Sequence, residues 1–241
     1  MDNGSKVYAI VLSGGSGKRF GSGIPKQYLD LNGKPVLAYA LQAFENSSVD
    51  GVIIIAAAQY IEKCRIIAET GGYSKAEAVI EGGSERYYSV LRGLEYLMSE
   101  YEDNEDIIVL IHDGARPLIT PEAIDAVTDN VKECGAAIAA APCTDTIKIL
   151  DEDGMIVSTT DRRLTWAAQT PQGFRLKDIY SAYKTVFSGG GADCRKTITD
   201  DAMVYQLVFP DRKVKAVNPG TNNMKITNAS DIDIAARIQN I

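Results

Sequence analysis

The sequence predicts an α/β fold: a doubly wound, mostly parallel sheet with helices on both faces and one inserted β-hairpin arm. Three observations predict it. Short β-branched runs alternate with longer segments of helical periodicity, a glycine-rich loop follows the first run directly, and the alternation fails only between Pro142 and Trp166.

The β-branched runs at 7–12, 52–57, 107–111 and 136–141 are short and apolar throughout, as expected of strands buried on both faces. Between them, 35–45, 60–70, 84–100 and 120–134 carry apolar residues at helical spacing. Two of these have candidate caps. Thr120 stands before Pro121 at the first helical position, and Ser84 stands three residues before Tyr87. Strands spaced for crossover helices give a Rossmann-like, doubly wound sheet. At 145–160 two short alternating segments flank Asp151-Glu152-Asp153-Gly154, which reads as a hairpin with an Asp-Gly turn. An isolated two-stranded ribbon is marginal in water, so this arm is expected to pack on a second copy of the chain. Beyond it come a helix at 176–187, a Gly189-Gly190-Gly191 loop, a helix at 200–207, a strand at 213–217 and a helix at 229–238. With no repeat and no long linker, the expected organisation is a single domain over 1–241 containing a dimerisation arm at 142–165.

Composition narrows the function classes. In 241 residues, 45% are apolar, enough for a continuous core. The net charge of −7 argues against a protein that wraps nucleic acid by neutralising phosphates. Cys64, Cys134, Cys143 and Cys194 form no CxxC pair, and His112 is the single histidine, so a Cys/His metal cluster is not expected. The cysteines read as reduced thiols of a cytoplasmic protein. No apolar run has the length of a membrane span.

The first strand enters Ser13-Gly14-Gly15-Ser16-Gly17-Lys18-Arg19-Phe20-Gly21, with Pro25-Lys26-Gln27 behind it. Glycines let backbone amides approach an anion, and open α/β sheets bind ligands at the carboxyl ends of their strands. This is not a Walker A loop, because Leu12 stands where its first glycine belongs and Arg19 follows Gly17-Lys18. The third glycine of a dinucleotide fingerprint comes one residue late, at Gly21, and two cations inside the loop suit a triphosphate better. A tight glycine turn with solvated cations is the plainer reading. Asp113 and Arg116 follow the third assigned strand, at the same sheet edge. A lone carboxylate there could hold Mg2+, which relies on phosphate and water for the rest of its shell; it could equally cap the next turn and pair with Arg116. Gly82-Gly83 precedes a helix start, either a site for backbone recognition of a base or phosphate or an ordinary N-terminus.

Taken together, GGSGKRFG with PKQYL, GGSERYYSV, HDGARP, DTIK, DRRLTWAAQTPQGF, ITDDA and NNMKIT resemble the 2-C-methyl-D-erythritol 4-phosphate cytidylyltransferase family of isoprenoid biosynthesis. The resemblance runs from about Val7 to Ala236, with the motifs in the family's order. It implies a nucleotidyltransferase fold related to the glycosyltransferase-A type, a homodimer, and a reaction between CTP and a small polyol phosphate. Arg19, Lys26 and Lys225 would act at the reacting phosphates, with Asp113 near magnesium. Gly14, Gly15, Gly17, Gly82, Gly83 and Ser89 would bind CTP. Thr146 and Arg162 on the arm would reach the polyol phosphate bound to the neighbouring subunit, with Arg116, Thr170 and Thr199 lining that pocket. Ser13-Gly14 replaces the usual Ala-Ala and Gly114 an alanine, changes that lean toward the related ribitol 5-phosphate cytidylyltransferases. The intact Asp145-Thr146, Asp161-Arg162 and HDGARP segments lean back toward the methylerythritol enzymes. His112 fits an orienting or core role better than that of a general base, since a phosphate nucleophile is already ionised. A dinucleotide-dependent oxidoreductase and a non-catalytic sugar-nucleotide-binding module are the other classes these motifs leave open.

Overall fold

The computed structural model describes residues 4–15, 24–101, 106–188 and 198–239. Its centre is a seven-stranded sheet in the order β11-β7-β10-β6-β1-β4-β5. The strands are β1 (Lys6–Ser13), β4 (Gly51–Ala56), β5 (Ala76–Glu81), β6 (Ile107–Asp113), β7 (Ala136–Pro142), β10 (Trp166–Arg175) and β11 (Lys215–Val217). β1 pairs in parallel with β4 and β6, β4 with β5, and β7 with β11, while β10 runs antiparallel between β6 and β7. β2 (Asp30–Leu31) and β3 (Lys34–Pro35) form a small ribbon of their own.

Alternation along the central strands explains how one sheet supports two cores. From β1, Val7, Ala9 and Val11 face one side with Val52, Ile54, Ile108 and Leu110. There they meet α1 (Val36–Glu45), α2 (Ile61–Gly71) and α4 (Pro121–Cys134). Tyr8 and Ile10 face the other side with Ile53, Ile55, Val109 and Ile111, against α3 (Arg86–Glu100), α5 (Leu176–Ser188) and α6 (Asp201–Val208). Residues i and i+2 share a face of a strand, so an unbroken apolar run fills both layers. The last helix, α7 (Ala229–Gln239), packs Ala235 into a smaller cluster with Leu31, Val36, Leu118 and Ile226.

Thr120 caps α4 as expected, its hydroxyl accepting the Ala123 N–H at 3.3 Å. Ser84 does not start α3. The helix begins at Arg86 with Glu85 in the cap position and no side-chain cap bond. Two strands departed from the sequence reading. Ala76–Glu81, to which the sequence reading gave no strand, is the half-buried edge strand β5, and the polar residues of 168–172, where the arm rejoins the domain, lie inside β10. The arm is a two-stranded ribbon of β8 (Lys148–Leu150) and β9 (Ile156–Thr159). Its turn is set by Gly154 at φ +80° and by Asp151, whose carboxylate accepts the N–H groups of Asp153 and Met155.

The order of connection positions the site. From β1 the chain steps through β4 to β5 on one side, then crosses to β6 on the other side of β1. The carboxyl ends of β1 and β6 therefore border the crevice where strand order reverses, the place where doubly wound sheets bind ligands.

Candidate active site

At the end of β1, Ser13 is buried and held from two directions. Gln27 donates through Nε2 to the carbonyls of Ser13 (2.7 Å) and Gly15 (3.0 Å), and Tyr28 donates its hydroxyl to the Ser13 carbonyl (2.9 Å). The Pro25-Lys26-Gln27 segment is thereby the clamp on the entry to the glycine loop. Lys26 is half-buried, and its charge reaches Asp231 in the first turn of α7. Burial would raise the Asp231 carboxyl, but the N–H groups of Asn228 and Thr227, the Thr227 hydroxyl and Lys26 together hold it below its ordinary value. Gly17 and Arg19 lie outside the described residues, as do Gly189-Gly190-Gly191 and Cys194. Cys64, Cys134 and Cys143 are free thiols.

Gly82, Gly83 and Ser89 converge with Gly14. The Gly82 N–H donates to Ala56 at the end of β4, and a Cβ on Gly82 would lie 2.7 Å from the Ser89 hydroxyl oxygen. A Cβ on Gly83 would stand 3.0 Å from the Tyr88 carbonyl carbon, and one on Gly14 would sit 3.9 Å from the Ser89 hydroxyl. Ser89 Oγ accepts the Gly83 N–H at 3.1 Å. Around Gly15 there is nothing within 4 Å of an added Cβ, so the backbone there faces open space among the described residues. Gly14, Gly82 and Gly83 are partly exposed over the buried Ser89, bringing their backbone together across the ends of β1, β4 and β5.

Across the crevice, Asp113 ends β6. Its Oδ2 accepts from Lys225 Nζ at 2.7 Å, and its Oδ1 faces Arg86 Nε at 3.4 Å. Burial alone would raise this carboxyl; Arg86 first, then Lys225 and Arg116, outweigh it and hold it well below the usual carboxylate range. Its backbone N–H donates to the Thr170 hydroxyl at 3.0 Å, and the same hydroxyl pairs with His112 Nδ1 at 3.2 Å. The His112 ring is fully buried against Phe44 and is pushed down to about 3, chiefly by burial, so it is neutral near pH 7. Arg116 is buried too. It donates through Nη1 to the Asn223 carbonyl at 2.7 Å, while its Nε has no partner among the described residues. Asn223 in turn donates to Gln169 and to the Thr170 carbonyl, both at 2.9 Å, which ties the segment bearing Lys225 to β10.

The structure thus brings Asp113, Lys225, Arg116 and Thr170 together and sets Gly14, Gly82, Gly83 and Ser89 opposite them. Thr199 is exposed and directly precedes Asp200 and Asp201. Asp200 caps α6, and Gln172 links to Asp200 and accepts the N–H groups of Asp201 and Ala202. Thr146 and Arg162 are on the arm, where among the described residues they hydrogen-bond to each other at 3.0 Å. Sequence reasoning assigned no role to Arg86 or Asp201. Their signals were membership of the GGSERYYSV and ITDDA motifs and, for Arg86, a cation in the first turn of α3, against the helix dipole.

Comparisons with known proteins agree with this geometry. The sequence profile described as 2-C-methyl-D-erythritol 4-phosphate cytidylyltransferase matches residues 7–240. A protein of that name from Lachnospira eligens is 45% identical, with 94% of this chain and 96% of that protein covered. Another from Geobacter metallireducens is 39% identical, with 95% of each covered. The crystal structure of 4-diphosphocytidyl-2C-methyl-D-erythritol synthase from Anaerococcus prevotii superposes with a TM-score of 0.83 at 26% identity, covering 98% of this chain and 97% of that one. A profile spanning nearly the whole chain, relatives of equal length and a shared fold leave one assignment: this chain belongs to the 2-C-methyl-D-erythritol 4-phosphate cytidylyltransferase family.

Proposed function

We propose that the protein joins CTP to 2-C-methyl-D-erythritol 4-phosphate, forming CDP-methylerythritol and pyrophosphate for isoprenoid precursor synthesis. The observation that carries this reading is the Lys225–Asp113 pair at the end of β6, facing the glycines at the end of β1 across the switch point. The substrate's phosphate oxygen attacks the α-phosphorus of CTP; one P–O bond forms and the bond to the leaving pyrophosphate breaks. Charge compensation and alignment are then the main tasks of the protein. Arg19, Lys26 and Lys225 offset charge on the α-phosphate and the leaving group, and backbone at Gly14, Gly15, Gly17, Gly82 and Gly83, with Ser89, seats the nucleotide. Arg116 offers its unpartnered Nε to an anion, supported by burial that pulls the guanidinium below its ordinary value and leaves it short of acceptors. Neutral His112 orients Thr170, and a phosphate nucleophile needs no proton removed.

Asp113 would hold Mg2+. Among the described residues no group of three or more His, Cys, Asp or Glu side chains could cage a metal, and a single carboxylate beside a phosphate site suits a hard cation that completes its shell with phosphate and water. When bound, the ion would neutralise charge on the phosphate oxygens. Thr146 and Arg162 would reach the neighbouring subunit's polyol phosphate, with Thr170 and Thr199 lining the same pocket. Homodimerisation through the arm is supported by its surface. Of the twelve large hydrophobic side chains exposed among the described residues, eight lie between Ile147 and Trp166. No described helix is long and apolar enough to cross a membrane, and a cytoplasmic location fits the free thiols.

Pyrophosphate release with CTP and magnesium tests the reading, with 2-C-methylerythritol 4-phosphate and ribitol 5-phosphate compared in parallel. Strong preference for the first is expected. Preference for the second would reassign the acceptor, and silence with both would remove the proposed activity.

A further inference from the structure

Arg86 stands in an electrostatically unfavourable place. It is the first residue of α3, where unpaired N–H groups carry the positive end of the helix dipole and favour acids. What holds it comes from far along the chain. Its Nη1 and Nη2 donate to the two oxygens of Asp201 at 2.8 and 2.7 Å, and Nε points at Asp113 Oδ1. Asp201 is fully buried and also accepts the Tyr183 hydroxyl. A buried carboxylate with three such bonds is fixed, and a bidentate pair fixes the plane of the guanidinium in turn. The other cation on Asp113 is held by fewer bonds: the Lys225 and Arg86 side chains are about equally exposed, at 36% and 33%, but Lys225 Nζ bonds Asp113 alone among the described residues. Arg86 is thus the rigid side of the Asp113 carboxylate and Lys225 the adjustable one.

We propose that Arg86 is a positioning residue for nucleotidyl transfer, a strut seated on Asp201 that keeps the Asp113 carboxylate in one orientation at the mouth of the site. The role rests on the activity assigned above. It joins three segments, the start of α3, the end of β6 and the start of α6, at one guanidinium. The loop between β5 and α3 carries Gly82 and Gly83, and Ser89 lies in the first turn of α3, so the strut also sets these residues against Asp113.

The test compares Arg86→Met, Asp201→Asn, the double variant and Arg86→Lys in the full chain, by kcat, by KM for both substrates, by urea midpoint and by crystal structure. Arg86→Met alone strands a buried charge and should lower the midpoint. The double variant removes both charges and should recover it. Its kcat should nevertheless stay about tenfold or more below wild type, with KM for CTP changed less than about threefold, because the defect is alignment. Arg86→Lys keeps the charge without the planar fork and should fall between. In crystals of the double variant the Asp113 carboxylate should leave its wild-type position. A double variant of wild-type stability whose kcat is within about threefold of wild type, or whose Asp113 has not moved, overturns the proposal. If the double variant does not fold, Asp201→Asn alone loosens the seat and is judged by the same two readouts. A wild-type protein that releases no pyrophosphate would sink the assigned activity only, since the position of Asp113 still decides the role of Arg86.

Discussion

His112 bears on stability more than on proton transfer. Its ring is fully buried, and burial pushes it down to about 3 from an ordinary value near 6.5. In the unfolded chain the same imidazole takes up a proton below about pH 6.5, whereas in the folded protein it stays neutral until about pH 3. Its contribution to stability is therefore complete above pH 6.5 and is lost as pH falls toward 3. Near pH 4.5 the loss should amount to about 2–3 kcal/mol. Asp113, also held below its ordinary value, adds a loss in the same direction at still lower pH. Urea midpoints measured from about pH 7 down to 4.5 should fall for the wild type and fall less steeply for His112→Asn, which keeps a polar atom near Thr170. An unchanged slope in the variant would assign the acid sensitivity to another group. The same residue shows what local sequence could and could not disclose. A lone histidine before Asp113 was legible as an orienting residue, but its partner Thr170 lies 58 positions away. Arg86 and Asp201 stand inside two of the quoted motifs, but their pairing was illegible for the same reason, since it spans 115 residues and neither motif names the other.

Among the elements, β1, β4 and β6 announced themselves because both faces are buried and their apolar runs are continuous. β10 did not. Its sequence Trp166–Arg175 includes Gln169, Thr170, Pro171 and Gln172, a composition that reads as a loop. It forms a strand because β6 and β7 leave antiparallel pairing positions on either side and α4 packs against it. Gly173 is where that packing comes closest. A Cβ there would lie 2.7 Å from Leu110 Cδ2 and 2.7 Å from Val131 Cγ2, with Val127 at 3.3 Å. These contacts are to side chains buried between helix and sheet, which have little room to yield. Gly173→Ala is therefore expected to destabilise the protein by about 1–3 kcal/mol, although alanine suits a strand no worse than glycine. Adding Val131→Ala should cost less in this background than in the wild type, because it removes one of the clashing groups. Strictly additive midpoints would mean that the glycine is there for another reason.

At the scale of the whole molecule, the arm is the feature that a single chain does not explain. Ile149, Leu150, Met155, Ile156 and Val157 are all exposed on a two-stranded ribbon, and Leu164 is 81% exposed at its base. Such a ribbon holds little structure by itself, so these side chains need a covering surface. Thr146 and Arg162 bond to each other there, and among the described residues no hydrogen bond or ion pair joins them to Asp113, Lys225 or Arg116. If the covering surface is a second copy related by a two-fold axis, each site combines the crevice of one protomer with the arm of the other. That arrangement gives a quantitative outcome for mixed dimers. Lys26→Ala disables a crevice and Arg162→Ala disables an arm, so each pure variant has no intact site. A mixed dimer pairs the good crevice of one protomer with the good arm of the other and pairs the two damaged halves in its second site. Random reassortment of equal amounts makes half the dimers mixed, so about a quarter of wild-type activity should return. Recovery should require subunit exchange, checked by unfolding and refolding the variants together rather than apart. Mixed dimers that remain inactive would place Arg162 in the crevice of its own chain, and a chain that stays monomeric at assay concentration would remove the shared site altogether.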